Sequence, residues 1–316
     1  MKAAIFSFIA CSEKSMVASV KAAFFLSKTL DLPLVDDETI ELYKTADVLF
    51  IVNGAYAFCK HLEPLSHAIR GVRRIVWIQQ DYTIVPPIND GDATSPFRKA
   101  FVDRRKAGKS HLEFWTTCER ESKLTTLSSL INWNALGFEE EKPPLNKKDA
   151  GDLFYYGSFR AGRTKAFDKF FNSPSLPITI SSPTSRFEQK YNGPNVRHVK
   201  KIEDLHSELG RHGLGLYLED AKSHSNFHSP PNRFYEMLSG GLPMVFQEEA
   251  GYTLRKAGYD PGDFLVSNAA SVQRRMSRRA EILKEQQDRW WLKAAREKRD
   301  LKDKVLEAYN RLEKNL

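Results

Sequence analysis

Tyr155-Tyr156-Gly157-Ser158-Phe159-Arg160-Ala161-Gly162-Arg163-Thr164 decides how the chain is read. An apolar strand, 152–156, runs into a turn with two glycines, and a helix starts at 163. Glycine lets backbone approach a ligand closely, and a helix N-terminus offers unbonded N–H groups with partial positive charge. Arg160 and Arg163 add guanidinium donors shaped for phosphate oxygens, and Ser158 adds a hydroxyl. Without a ligand, the same residues would be a strand-to-helix turn carrying surface arginines.

The alternation continues downstream. The pattern predicts a strand near 178–180, a helix over 202–212, a strand over 214–218, a helix over 231–239, and strands over 243–246 and 264–266. Within it lies Pro231-Asn232-Arg233-Phe234-Tyr235-Glu236-Met237-Leu238-Ser239-Gly240-Gly241-Leu242-Pro243. Arg233 and Glu236, three apart, share a helix face. A carboxylate there can accept both hydroxyls of a ribose, and the arginine can neutralise a diphosphate. The plain alternative is an intrahelical Arg–Glu pair. Glu, a short helical spacer, Gly-Leu-Pro and an apolar strand together resemble the donor-site helix of GT-B transferases. The last 46 residues, 271–316, read as helix with a break near Arg289-Trp290-Trp291.

Upstream, 139–151 is charged, holds Pro143 and Pro144, and reads as a linker. Before it the pattern repeats. Ala3–Ile9, Val48–Val52 and Ile75–Ile78 are unbroken apolar runs of strand length, and 15–30 and 60–71 have helical character. Unbroken apolar strands alternating with helices predict parallel sheets covered on both faces. The fold expected is α/β: two Rossmann-like domains facing across a cleft, with a long C-terminal helix. The expected boundaries are 1–144, 145–288 and 289–316, with the last segment packing back on the N-terminal domain. Ligands in such sheets bind at the carboxyl ends of the strands.

Asp81 follows the Ile75–Ile78 strand, where a cleft carboxylate or a turn-capping residue would stand. Other signals are weaker. Asp90-Gly91-Asp92 is a D-x-D in a Pro/Gly/Asn-rich loop, with no apolar strand ahead of it, and reads as a chance turn. His224 and His228 have ligand spacing but no third partner, so no metal site is assigned. Cys11, Cys59 and Cys118 are odd in number and scattered, which fits a reducing cytoplasm better than a disulfide framework. The N-terminal apolar run reads as a buried strand rather than a signal peptide, and no run approaches the roughly 20 residues of a membrane span.

The net charge of +8 invites a polyanionic partner. Its distribution says more than its size. Arg98, Lys99, Arg104, Arg105, Lys106 and Lys109 face only Asp103 within 98–109, which points to nucleic acid. The tail, 271–316, has 14 basic against 8 acidic residues and reads as a solvated helix face.

Taken together, these residues resemble the DNA β-glucosyltransferases of T-even bacteriophages, two-domain GT-B enzymes that move glucose from UDP-glucose onto 5-hydroxymethylcytosine in duplex DNA with inversion. The similarity runs in order through the initial Met-Lys-x-Ala-Ile, Ile51-Val52-Asn53, the strand ending at Asp81, Tyr156-Gly157-Ser158-Phe159-Arg160-x-Gly162, Ile202, Leu216-Tyr217-Leu218 and Arg233-x-x-Glu236. The Gly-Ser-Phe-Arg-x-Gly block is the most specific part. The resemblance implies that Asp81 is the catalytic base, that Arg160 and Arg233 grip the diphosphate, that Glu236 holds the ribose and that the backbone at Ile202 meets the uracil. The family's second phosphate arginine lies on the following helix. Here Thr164 holds that place and Arg163, one position earlier, substitutes for it. Glu13 is the nearest counterpart of the family's acceptor-side glutamate.

The function expected is transfer of glucose from UDP-glucose to a hydroxymethylated cytosine or uracil in duplex DNA, with the target base flipped out. Arg98, Lys99, Arg104 and Arg105 would contact the DNA. No cofactor is required, and there is room for a divalent cation, Mg or Mn, near the diphosphate. The expected protein is a monomer in the cytoplasm, that of a bacterial host if phage-encoded, with no membrane partner. The alternatives are a GT-B enzyme acting on a glycan, lipid or protein, and a non-catalytic nucleic-acid-binding protein.

Overall fold

The computed structural model describes residues 1–7, 18–52, 63–79, 112–117, 128–141, 151–200, 202–219 and 229–316. The chain divides into two compact units: Met1–Leu136 with Glu297–Leu316, and Gly137–Arg296. The expected boundary at 144/145 lies outside the described residues, as do Cys11, Cys59 and Cys118.

The first unit contains β1 (Ala3–Ser7), α1 (Ala18–Leu30), β2 (Leu34–Val35), β3 (Val48–Val52), α2 (Glu63–Gly71), β4 (Arg74–Gln79), β5 (Leu112–Thr116) and β6 (Ser129–Leu130). Its strands lie in the order β2-β1-β3-β4-β5-β6, every pair parallel. Successive residues of a strand face opposite sides of a sheet, and both sides here are covered. Phe6, Leu49, Ile51 and Trp77 pack with Leu65, Ala68 and Ile69 of α2. Ile5, Phe50, Val76 and Trp115 pack on the other face with Ala22, Ala23 and Leu26 of α1 and with Leu301, Val305, Ala308 and Leu312. This two-sided burial is why β1 and β3 are apolar at every position but Ser7, instead of alternating. Glu113 of β5 is the exception inside that core. It is 1% exposed and accepts from Trp115 Nε1 at 2.8 Å and Arg311 Nη2 at 3.1 Å. Burial pushes its pKa up, outweighing those donors.

The second unit contains β7 (Leu153–Tyr156), α3 (Thr164–Phe171), β8 (Ile178–Ser181), α4 (Arg186–Lys190), β9 (Val196–Val199), α5 (Leu205–Leu209), β10 (Leu214–Tyr217), α6 (Asn232–Ser239), β11 (Met244–Gln247), α7 (Gly251–Lys256), β12 (Leu265–Val266) and α8 (Ala269–Met276). Its six strands are parallel in the order β12-β11-β10-β7-β8-β9. At the start of the strands, Asp152 ties β7, β8 and β10 together. It accepts from Thr179 Oγ1 at 2.7 Å and Gly213 N at 3.2 Å, and meets His212 Nδ1 at 2.8 Å. The His212 ring stacks on Phe154 at 3.9 Å, and its other nitrogen lies 3.1 Å from Glu208.

The last helix, α9, runs unbroken from Arg279 to Lys314. The break expected near Arg289-Trp290-Trp291 does not occur there, and the helical stretch is interrupted instead between Met276 and Arg279. Trp290 belongs to the core of the second unit, packing on Phe234 at 5.6 Å, Phe246 at 5.7 Å and Phe264 at 5.6 Å. The residues before 297 belong to the second unit and those from 297 onward to the first. Among the described residues, no helix is long and apolar enough to cross a membrane.

Candidate functional site

In the second unit the chain enters the sheet at β7, steps outward through β8 and β9, then returns to place β10 on the other side of β7. Strand order therefore reverses between β7 and β10. A crevice opens where the loops leaving two such strands part, at their carboxyl ends. Gly157 follows β7 there, and Leu218-Glu219 follows β10. Helix α6 returns from that same edge and puts Arg233 in its first turn.

Gly157 has φ +142°, a conformation side chains rarely adopt. A Cβ on it would lie 2.9 Å from Arg233 Nη1. The glycine thus lets the guanidinium of Arg233 cross the end of β7. Arg233 Nη1 donates to Tyr156 O at 2.8 Å, and Nη2 donates to Leu218 O at 3.3 Å. Its Nη2 also pairs with one oxygen of Glu219, while Arg163 Nη2 pairs with the other. Glu219 and Arg163 are buried, and the Arg233 side chain is 16% exposed. The three form one Arg–Glu–Arg bridge across the switch point.

The turn itself is anchored by Phe159. Its ring packs on Phe187 at 5.1 Å and Phe167 at 5.9 Å. Ser158 and Arg160, on either side of it, are exposed. Arg160 precedes a short 3-10 turn, Ala161–Arg163, that leads into α3. Glu236, one turn after Arg233, is buried. Glu236 accepts from Tyr156 Oη at 2.7 Å and from Asn232 Nδ2. Burial and this carboxylate push the Tyr156 phenol well above its usual pKa, so it remains a hydrogen-bond donor. Ile202 is half-buried between β9 and α5, on the same carboxyl edge of the sheet.

The structure thus brings Gly157, Arg163, Arg233 and Glu236 together and leaves Arg160 and Ser158 facing solvent beside them. Glu219, Asn232 and the hydroxyl of Tyr156 have roles here that no motif in the sequence assigns. Glu219 carried a usable signal, an acid just past an apolar strand, the same argument applied to Asp81. In the first unit strand order reverses between β1 and β3. Asp81 comes two positions after Gln79, the end of β4, and lies outside the described residues. So do Glu13, Arg98, Lys99, Arg104, Arg105, Lys106, Lys109, Asp90, Asp92, His224 and His228. Among the described residues no group of three His, Cys, Asp or Glu side chains is placed to hold a metal ion.

Two doubly wound parallel sheets of six strands with a long closing helix define the GT-B glycosyltransferase fold. No protein-family model and no curated protein sequence matches the chain. Solved structures do. β-Glucosyltransferase of T4 phage, in complex with UDP and Mn2+, superposes with a TM-score of 0.67 at 17% identity, covering 98% of this chain and 99% of that one. Another structure of the DNA-modifying β-glucosyltransferase gives 0.65 at 15% identity, over 98% and 100%. An α-glucosyltransferase with UDP and a 13-mer DNA gives 0.51 at 12% identity, over 96% and 94%. The family whose motifs the sequence resembles is therefore one whose fold this chain shares.

Proposed function

We propose that the protein is an inverting glycosyltransferase that moves glucose from UDP-glucose to a 5-hydroxymethylated pyrimidine in duplex DNA. The observation that carries this reading is Arg233 laid across Gly157 at the switch point of the second sheet, with Glu236 one helical turn away. Full-length likeness to a UDP-bound phage glucosyltransferase supports the donor, and the basic stretch 98–109 supports the acceptor.

In this reading the diphosphate lies against Arg160 and Arg233, which stabilise the charge that grows on departing UDP. Glu236, oriented by Tyr156 and Asn232, accepts from the ribose hydroxyls. The backbone at Ile202 meets the uracil. Asp81 takes the proton of the hydroxymethyl oxygen as that oxygen bonds to the anomeric carbon. The anomeric bond to UDP breaks on the opposite face, and UDP leaves with the electron pair. A base inside a duplex must leave the stack to reach such a site, and Arg98, Lys99, Arg104 and Arg105 hold the strand while it does. Both oxygens of Glu219 are already paired with arginines, so a divalent cation would be held chiefly by the diphosphate's own oxygens.

The test is incubation of radiolabelled UDP-glucose with duplexes containing hydroxymethylcytosine or hydroxymethyluracil. Label is expected in the modified DNA and absent from unmodified DNA. Asp81→Asn is expected to abolish transfer while UDP binding persists. Near-normal turnover by that variant would remove Asp81 as the base, and label on neither duplex would remove the DNA acceptor.

A further inference from the structure

The Arg163–Glu219–Arg233 bridge has a consequence for how the site loads. Arg233 has Nη1 on Tyr156 O and Nη2 on Leu218 O and Glu219. Arg163, buried at 4% exposure, points its Nη2 at the other oxygen of the same carboxylate. Glu219 therefore already stands as an anion between two guanidiniums, at the carboxyl ends of the two strands where order reverses. A carboxylate between two arginines presents the same chemistry as a phosphate oxygen pair. It also keeps two buried cations from facing each other uncompensated, which would be costly.

We propose that Glu219 is a built-in counter-ion that competes with the donor's diphosphate. Loading the donor exchanges one anion for another: the diphosphate takes over the guanidinium edge of Arg233, and Glu219 keeps Arg163. After transfer, the return of Glu219 to Arg233 helps expel UDP. Arg163 is then a positioning residue that retains Glu219 near the site, rather than a second phosphate ligand. The inference rests on the placement of the diphosphate at Arg233 proposed above, and its test separates the two.

The experiment is calorimetric titration of wild-type protein and Glu219→Gln with UDP, inorganic pyrophosphate and uridine. Glutamine keeps the shape and removes the charge. Removing a like charge a few ångströms from the ligand is expected to tighten UDP and pyrophosphate on the order of tenfold and leave uridine unchanged. A residue that merely shaped the pocket would weaken binding when replaced. Affinities that fall, or rise by less than about threefold, overturn the proposal. Wild-type protein that binds pyrophosphate but not UDP removes the uridine donor and leaves the anion exchange standing. Wild-type protein that binds neither overturns both. Should the glutamine variant fail to fold, a crystal structure of the wild-type UDP complex decides. Glu219 released from Arg233 is expected there, and a bridge to both arginines that persists beside bound diphosphate overturns the exchange.

Discussion

Replacing Gly157 by alanine tests the geometry of the site more directly than removing a charged residue, because the alanine adds one methyl group and no chemistry. Two costs follow from the structure. An L-residue held at φ +142° stores about 1–3 kcal/mol of backbone strain. The new Cβ would also sit 2.9 Å from Arg233 Nη1, about 0.5 Å inside ordinary contact distance. A free guanidinium would swing aside at little cost, but this one is bonded to Tyr156 O, Leu218 O and Glu219. Breaking one charge-assisted bond costs a further ~1.5–3 kcal/mol. Together the two give a loss of about 2.5–6 kcal/mol, against the ~5–15 kcal/mol stability typical of a domain. The variant should therefore fold with a much lower urea midpoint and an unchanged slope. UDP affinity should fall on the order of tenfold, because Arg233 no longer holds its position. Gly162→Ala is the internal control. A Cβ at Gly162 meets nothing within 4 Å, so stability should change by no more than about 0.5 kcal/mol. A Gly157→Ala protein with wild-type midpoint and wild-type UDP affinity would refute the claim that this glycine makes room for Arg233.

Two further predictions concern the frame that carries the site. Asp152 has a pKa below its usual value of 3.8: burial opposes the charged form, but His212, Thr179 and Gly213 N outweigh it. A lowered folded pKa means that the contribution to stability is present above the unfolded value and is lost as pH falls through the folded one. Asp152→Asn should cost about 2 kcal/mol at pH 7 and flatten the acid limb of a pH–stability curve below about pH 4. An unchanged acid limb would place the acid sensitivity elsewhere. Gln286→Leu, with the wild-type Gln286 fully buried, removes the side chain that accepts from Met244 N at 2.9 Å and donates to Met244 O at 2.7 Å. Two orphaned backbone groups at the start of β11 should cost about 2–4 kcal/mol in urea denaturation, and a loss under about 1 kcal/mol would mean that water replaces the amide.

Periodicity and turn chemistry made the central strands legible. Val48–Val52 and Leu153–Tyr156 are apolar throughout because helices cover both faces of their sheets. Short edge elements were not legible. Leu34–Val35 and Ser129–Leu130 are two residues long, and Val196-Arg197-His198-Val199 carries two polar residues because it lies at an edge of its sheet. Glu113 hid for the opposite reason, as a charged residue inside the core whose partner, Arg311, is 198 residues away in sequence.

The site divides in the same way. Gly157 and Arg233 announce themselves, since a glycine after an apolar strand and an arginine opening a helix are local facts. The bridge through Glu219 is not local. It depends on β10 returning to lie beside β7, which no window of sequence records. Had the strands been laid down in simple succession, β10 would stand three strands from β7. At about 4.8 Å per strand, that is about 14 Å, far beyond ion-pair reach. Arg163 would then face solvent and serve as the second phosphate ligand that its place in the sequence suggests. The reversal in strand order that creates the crevice is therefore the same feature that supplies it with a competing anion. The reach of one carboxylate between two adjacent strand ends sets how readily the site gives up its charge to a donor.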